Sequence, residues 1–307
     1  MSDELLALVR LYATLIVCIS LGWGIGAHLQ RELINRVGKY LFWVGMPVSV
    51  VGFLLNVKLS GNVWWAGLVS ALAFGGAWGL GELWLAGWGK GWVSPQRGSF
   101  LLTSMAGNTG YVGYPVCLFL LGSDYFAWAV VFDLTNTLTG SYGLGVWLAA
   151  RLGGQGAHPG WALVRNPILW SALLALALYP LTRPLWFDAM LKILAWGVVV
   201  ISLVLTGVRL SQIRQWGKLK AVWASLGIKM VLVPLLVGIV LHFFPVTERL
   251  RLLLVLQSGM PPAMATLVLT EAYGLEPGLT VSAIGLGLGL LLVTLPLWLL
   301  LFGQSLF

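Results

Sequence analysis

The sequence predicts an all-α polytopic membrane protein, with ten transmembrane helices in a 5+5 inverted repeat whose helices 4 and 9 are broken. Three observations carry this reading. The chain is 59% hydrophobic and 9% charged, with a mean hydropathy of +0.92, whereas a soluble domain carries about 25% charged residues. A water-soluble core has no room for that much apolar surface, so lipid is the solvent. The apolar residues fall into ten runs, and part of the pattern recurs at an offset of 152 residues.

A spanning helix needs roughly 20 apolar residues. The spans are predicted at 5–28, 34–56, 62–86, 97–121, 125–150, 165–180, 184–207, 218–243, 250–273 and 278–303. The first begins on the acidic stretch Met1 to Glu4 and has no Ala-x-Ala exit, so it is expected to stay as a membrane helix and not be cleaved as a signal peptide. Helix 3 contains Gly67, Gly75, Gly76 and Gly79, and helix 10 contains Gly285-x-Gly-x-Gly289; small residues of this kind let helices pack closely. Helix 6 is short and bounded by Pro167 and Pro180. The segments Gly153 to Gly160 and Arg209 to Lys220 are the clearest polar loops. The chain divides into a first five-helix repeat, 1–152, and a second, inverted one, 153–307.

The net charge of +8 forms no basic patch, and nucleic acid is not an expected partner. The cations mark topology instead. Loops after helices 1, 3, 5 and 7 carry eleven: Arg31, Arg36, Lys39, Lys90, Arg97, Arg151, Arg165, Arg209, Arg214, Lys218 and Lys220. The other side carries six: Arg10, Lys58, Arg183, Lys192, Arg249 and Arg251. The positive-inside rule then puts the odd-to-even loops in the cytoplasm and both termini outside; the expected location is the cell (inner) membrane. Of the 17 tryptophans, Trp64, Trp65, Trp88, Trp92, Trp161, Trp216 and Trp298 lie near the ends of apolar runs, as an interfacial belt requires. Cys18 and Cys117 fall inside apolar runs and read as small buried residues. His28, His158 and His242 have no metal-type spacing.

At the 152-residue offset, Gly45 meets Gly197, Trp64 meets Trp216, Gly107 meets Gly259 and Gly122 meets Gly274. Five helices per copy is an odd number, so the second copy enters the membrane upside down, as in many secondary transporters. The matched segments Ser104-Met-Ala-Gly-Asn-Thr-Gly-Tyr-Val-Gly-Tyr-Pro115 and Gln257-Ser-Gly-Met-Pro-Pro-Ala263 lie mid-helix in spans 4 and 9. Proline removes a backbone donor and clashes with the preceding turn, and glycine weakens the helix further. Unwound backbone at membrane depth is tolerated only where it is buried or lines a water-filled cavity. Two breaks at matched positions point to a midplane site. The half-helices that follow them turn positive dipole ends toward it, which favours an anion.

The segment Gly107-Asn-Thr-Gly-Tyr-Val-Gly-Tyr-Pro115, then Arg165-Asn-Pro167, Lys229-Met-Val-Leu-Val-Pro234 and Met260-Pro-Pro-Ala263 resemble the auxin efflux carrier family, which includes plant auxin exporters and bacterial malonate and malate permeases. The resemblance runs over the whole chain. It implies a fold similar to bile-acid symporters and NhaA-type antiporters, with helices 4 and 9 crossing at their breaks. It also implies a scaffold of helices 1, 2, 6 and 7 and a transport domain of helices 3–5 and 8–10. Asn108 and Thr109 match the family's crossover pair, and Pro115 and Pro261 lie at or beside the crossing points. The long cytoplasmic loop of the larger plant members is missing here.

The substrate-binding set expected from these readings is Asn108, Thr109, Gly110, Tyr111, Pro115, Asn136, Gln257, Met260, Pro261 and Pro262. An ionisable residue inside the bilayer costs a few kcal/mol and is a functional candidate by default. Asp133 and Asn136, three apart, share a face of helix 5. Asp133, Lys229 and Glu82 are therefore coupling or gating candidates; Glu271 lies near the end of helix 9. A structural Asp133–Lys229 pair is the plainer alternative.

The expected function is secondary transport of a small organic anion, a carboxylate of auxin or dicarboxylate type, by alternating access with an elevator motion. Symport of another amphipathic solute with Na⁺ or H⁺ is the alternative. No Walker motif, Ser/His/Asp set or haem signature occurs, so an intramembrane enzyme is disfavoured, and a membrane sensor has no output domain to use. No cofactor is expected beyond a coupling ion, and the expected partners are the solute, the lipid bilayer and a second copy through helices 1, 2, 6 and 7. The charge asymmetry predicts that a reporter fused after Phe307 reads out on the exterior. A cytoplasmic reading overturns either the count of ten spans or the orientation.

Overall fold

The computed structural model describes residues 3–56, 62–153, 167–212 and 219–303. Among the described residues the chain is helical, and its only β-type pairing is one isolated bridge. Six helical stretches are long and apolar enough to cross a membrane: Val9–Gly26, Glu32–Leu54, Trp64–Trp88, Leu185–Ser211, Leu219–His242 and Pro277–Phe302. Of the four remaining expected spans, the fourth and ninth are interrupted and the sixth is short, while the fifth is helical without a break from Phe126 to Gly153 through a π segment.

In chain order the helices are α1 Asp3–Gly26, α2 Arg31–Tyr40, α3 Met46–Leu54, α4 Trp64–Trp88, α5 Ser94–Met105, α6 Gly113–Leu120, α7 Phe126–Thr135 and α8 Gly145–Gly153. They continue with α9 Pro167–Leu178, α10 Leu185–Ser211, α11 Leu219–Leu226, α12 Val233–His242, α13 Glu248–Ser258, α14 Met264–Ala272 and α15 Pro277–Phe302. Expected span 4 is α5 and α6 with a break between them, and span 9 is α13 and α14 with another. Arg165, Asn166, Lys58, Arg214, Lys218, His158, Trp161, Trp216 and residues 154–160 of the expected loop lie outside the described residues.

Three segments widen into π-helix: Leu41–Gly45 between α2 and α3, Asn136–Leu144 between α7 and α8, and Gly227–Leu232 between α11 and α12. Pro47 and Pro234 sit in the first turn of α3 and α12. Each withholds the N–H that the carbonyl four residues back would take. The ladder widens just upstream, as occurs at single-turn π-bulges.

The chain forms two compact units. Unit 1 comprises Met1–Val63, Gly110–Val130 and Arg165–Gln212, and holds α1–α3, α6, the start of α7, α9 and α10. Here α10 packs against both α1 and α3. The contact with α1 is backbone to backbone. A Cβ at Gly22 would collide with the Val204 carbonyl, and one at Gly207 with the Ile19 carbonyl, so the glycines set the separation. Lipid tails are as apolar as the side chains, so close packing of small residues is what drives such association. Ser49 donates to the Ala195 carbonyl at 3.1 Å, and Phe53 packs against Phe126 and Trp196 at ring separations of 4.6 and 5.7 Å. Arg183 closes one end, pairing with Asp188 at 2.9 Å and donating to the Leu55 carbonyl at 2.9 Å.

Unit 2 comprises Trp64–Thr109, Val131–Val164 and Ile213–Phe307. It holds α4, α5, the end of α7, α8 and α11–α15. Leu102, Val146, Ala149, Leu269, Tyr273 and Leu275 form one of its cores. Ser99 both donates to and accepts from the Glu276 backbone at 2.9 Å, tying the middle of α5 to the start of α15. Trp64 and Trp88 are exposed, as an interfacial belt needs, but Trp298 is fully buried. Its place near the end of an apolar run was a poor guide, because the face it occupies on α15 is turned inward.

The glycine contact between α1 and α10 predicts that Gly207→Val lowers the melting temperature of the purified protein in detergent, by overpacking worth about 1–3 kcal/mol. Gly197→Val is the control, since a Cβ there meets nothing within 4 Å. Equal melting of the two variants would show that the close approach is not required.

Candidate functional site

The site lies within unit 2, where two breaks meet. α5 ends at Met105, and the chain runs on in extended form from Ala106, whose φ and ψ are −86° and 114°. α13 ends at Ser258, and the second break, through Met260-Pro261-Pro262, ends at the extended Ala263, with φ −72° and ψ 146°. Gly107 and Pro262 form an antiparallel bridge. The Asn108 N–H donates to the Pro261 carbonyl at 2.7 Å, and the Ala263 N–H donates to the Ala106 carbonyl at 2.9 Å. Each break thereby satisfies backbone groups of the other, and at this depth water offers no substitute.

Polar side chains from α7 and its π segment complete the arrangement. Asn136 donates through Nδ2 to the Gly107 carbonyl at 2.9 Å and to the Thr109 hydroxyl at 3.3 Å. The Thr109 hydroxyl in turn donates to the Asp133 carboxylate. Asp133 and Asn136 do share a face, and that face meets the first break. All three side chains are at least 95% buried. The Asn108 side chain, 4% exposed, makes no hydrogen bond to another described residue.

Lys229 enters from the π segment between α11 and α12. It is 3% exposed, and its ammonium donates to the Ser258 carbonyl at 2.9 Å. Among the described residues it forms no ion pair, so the simple Asp133–Lys229 pair is not formed. It also lies against the first break, because a Cβ at Gly107 would sit 2.9 Å from Lys229 Cε and 3.0 Å from Nζ. A side chain at 107 would have to push the end of the lysine aside.

Unit 2 therefore brings together Asn108, Thr109, Asp133, Asn136, Lys229, Met260, Pro261 and Pro262. Gln257 is buried in the last turn of α13. Glu82 stands apart: its carboxylate is 43% exposed, lies 3.6 Å from Arg97 and accepts from Trp78 Nε1 at 3.3 Å. Gly110, Tyr111 and Pro115 belong to unit 1, where the Tyr111 carbonyl accepts from Ser202 at 3.4 Å. Two contributors were not singled out as site residues. Gly287 on α15 faces both prolines, as a Cβ there would lie 2.9 Å from Pro262 Cδ and 3.1 Å from Pro261 Cβ. The Ser258 carbonyl is the other. The Gly-x-Gly-x-Gly run centred on Gly287 was the available signal for the first; a backbone carbonyl leaves none. Among the described residues no three His, Cys, Asp or Glu side chains gather as a metal site would require.

Residues 159–299 match the family model described as "Membrane transport protein". The chain is 27% identical over 210 residues to an "Uncharacterized transporter" of Methanocaldococcus jannaschii, covering 66% of this chain and 68% of that protein. It is 28% identical over 193 residues to an "Uncharacterized transporter" of Methanothermobacter thermautotrophicus, covering 62% of this chain and 63% of that protein. These matches bear out the family resemblance read from the motifs.

Proposed function

We propose that this chain, a membrane protein similar over residues 159–299 to the "Membrane transport protein" family model, is an auxin-efflux-carrier-like secondary carrier of a small organic anion bound at the paired breaks. One observation carries the reading. The Asn108 side chain is buried yet forms no hydrogen bond to a described residue, and the second break, bridged to the one that carries Asn108, leads into α14, which begins without a side-chain cap. The first N–H groups of a helix, with the positive end of its dipole, attract a carboxylate. A neutral amide beside them adds a donor without holding the anion too tightly for release. Thr109, Asp133, Asn136 and Lys229 are by contrast engaged in hydrogen bonds at the breaks.

Several features support a ten-span inverted repeat beneath this site. The first half-helices, α5 and α13, end 153 residues apart, and the second, α6 and α14, begin 151 residues apart. Gly122 and Gly274, 152 residues apart, both adopt positive φ, 81° and 68°. Alternating access, with an elevator-type motion of helices 3–5 and 8–10, is the mechanism we attach to this architecture. The inner membrane and exterior termini complete the proposal.

Uptake of a panel of mono- and dicarboxylates into proteoliposomes tests it directly; no uptake of any carboxylate would sink it. Hydrogen bonds to charged groups contribute roughly 1.5–3 kcal/mol. Asn108→Ala is therefore expected to weaken affinity about ten- to a hundredfold. Pro261→Ala combined with Pro262→Ala restores two donors and lets the helix run on through the break, so it is expected to abolish turnover. Wild-type affinity in the first variant, with full transport in the second at equal membrane abundance, would place the solute elsewhere.

Proton coupling is the second reading, favoured by a specific observation, that the Asp133 carboxylate is buried beside the bridge, where a charge is costly. Asp133→Asn is then expected to flatten the pH dependence of uptake while the protein remains folded. An unchanged pH profile would make Asp133 a purely structural acceptor.

A further inference from the structure

We infer that Thr294 and Trp298 on α15 form the far end of the solute site and take a second, uncharged oxygen of the solute, so that the carrier favours oxo- or hydroxycarboxylates over plain ones. The inference deepens the anion reading and rests on it.

Gly287, Leu291, Thr294 and Trp298 are all buried and follow one another at helical spacing, so they form one stripe along α15. The stripe runs beside the second break. Gly287 meets Pro261 and Pro262, and Trp298 meets Gly259, where a Cβ would lie 3.2 Å from the indole Nε1 and 3.3 Å from Pro234 Cβ. Phe302 backs the indole at a ring separation of 6.1 Å.

The hydrogen-bonding capacity of this stripe is unspent. Trp298 Nε1 and Thr294 Oγ1 have no hydrogen-bond partner among the described residues, although both side chains are only 2% exposed. Other buried hydroxyls of unit 2 behave differently. Thr266, Thr270 and Ser282 each donate to a backbone carbonyl three or four residues back. The Leu290 and Leu291 carbonyls offer Thr294 the same bond, and it is not made. A buried donor without an acceptor is costly, and two of them on one stripe beside the break call for an acceptor brought in by a ligand.

The kind of acceptor follows from the surroundings. An indole N–H only donates, a hydroxyl adds a second donor, and both are neutral. Gly259 directly follows the C-terminus of α13, the negative end of that helix dipole. The Lys229 ammonium is engaged by the Ser258 carbonyl at that same end. A second carboxylate therefore meets no spare positive field here, whereas a carbonyl or hydroxyl oxygen needs only the donors. Gly259 and Ala263 are four residues apart, at most about 14 Å of extended chain. One small molecule can hold its carboxylate at the N–H end of α14 and its second oxygen at the stripe.

The test is calorimetric titration of the purified full chain in detergent with probe pairs that differ by one oxygen: pentanoate with 4-oxopentanoate, and butanoate with 3-hydroxybutanoate. The wild type is expected to bind the oxygenated member about tenfold more tightly. Thr294→Val and Trp298→Phe are each expected to bring that ratio toward one. Asn108→Ala is expected to weaken both members of a pair and to keep the ratio. Thr294→Val preserves the side-chain shape and deletes an unpartnered hydroxyl, so without solute it is expected to melt no lower than the wild type. A clear fall in its melting temperature would show that the hydroxyl serves the fold, and overturns the inference. A wild-type ratio near one, with pentanoate still bound, overturns it while leaving the anion reading intact. A ratio that survives both α15 variants overturns it as well, and so does tighter binding of glutarate than of 4-oxopentanoate. No binding of any carboxylate removes the anion reading and this inference with it.

Discussion

Lipid removes water as the partner of last resort for a backbone group, and the centre of unit 2 is organised around that loss. Where α5 and α13 stop, the N–H groups of Ala106 and Gly259 still close the last turns, but backbone groups further into the breaks have no helical partner. The hydrogen bonds from Asn108 to Pro261 and from Ala263 to Ala106 let each supply what the other lacks. Pro261 and Pro262 reduce the demand, since neither has an N–H to satisfy. Asn136 takes the Gly107 carbonyl and Lys229 takes that of Ser258. The placement of the polar side chains thus follows from backbone accounting before any solute is considered.

The two units meet the apolar solvent in different ways. Unit 1 is held by close backbone approach, with Gly22 and Gly207 admitting neighbouring carbonyls into the space of a missing methyl. An ion pair of largely buried side chains, Arg183 with Asp188, lies where α9 gives way to α10. Unit 2 buries Asp133, Asn136, Thr109 and Lys229 together. Side-chain hydrogen bonds between helices in lipid are individually modest, so this expense is concentrated where the helices are already broken.

The breaks were legible in the sequence because a Pro- and Gly-rich polar run inside an apolar span is conspicuous. The three-residue spacing of Asp133 and Asn136 gave their common face correctly, and the high cost of a buried ion singled out Lys229. The partners were not legible. Thr109 meets Asp133 only after the chain has folded back over more than twenty residues, and the acceptor for Lys229 is a backbone carbonyl, which every residue has. The π segments left only an indirect mark, in Pro47 and Pro234. Glu82 looked costly on hydropathy alone, yet Arg97 and partial exposure relieve it. Trp298 misled because position along a run fixes depth, whereas burial depends on which way the helix face turns.

The bridge between Gly107 and Pro262 joins positions 155 residues apart in the chain, and this separation constrains biosynthesis. Ribosomes add roughly 5–20 residues per second, so on the order of 10–30 s pass between synthesis of the first break and synthesis of its partner. During that interval the Asn108 N–H and the Ala106 carbonyl are without the bonds that later secure them. Asn136 is made less than thirty residues after Gly107, early enough to hold the first break provisionally. The nascent first half is therefore a waiting intermediate with open backbone groups, one that the insertion machinery must shelter until the second half arrives.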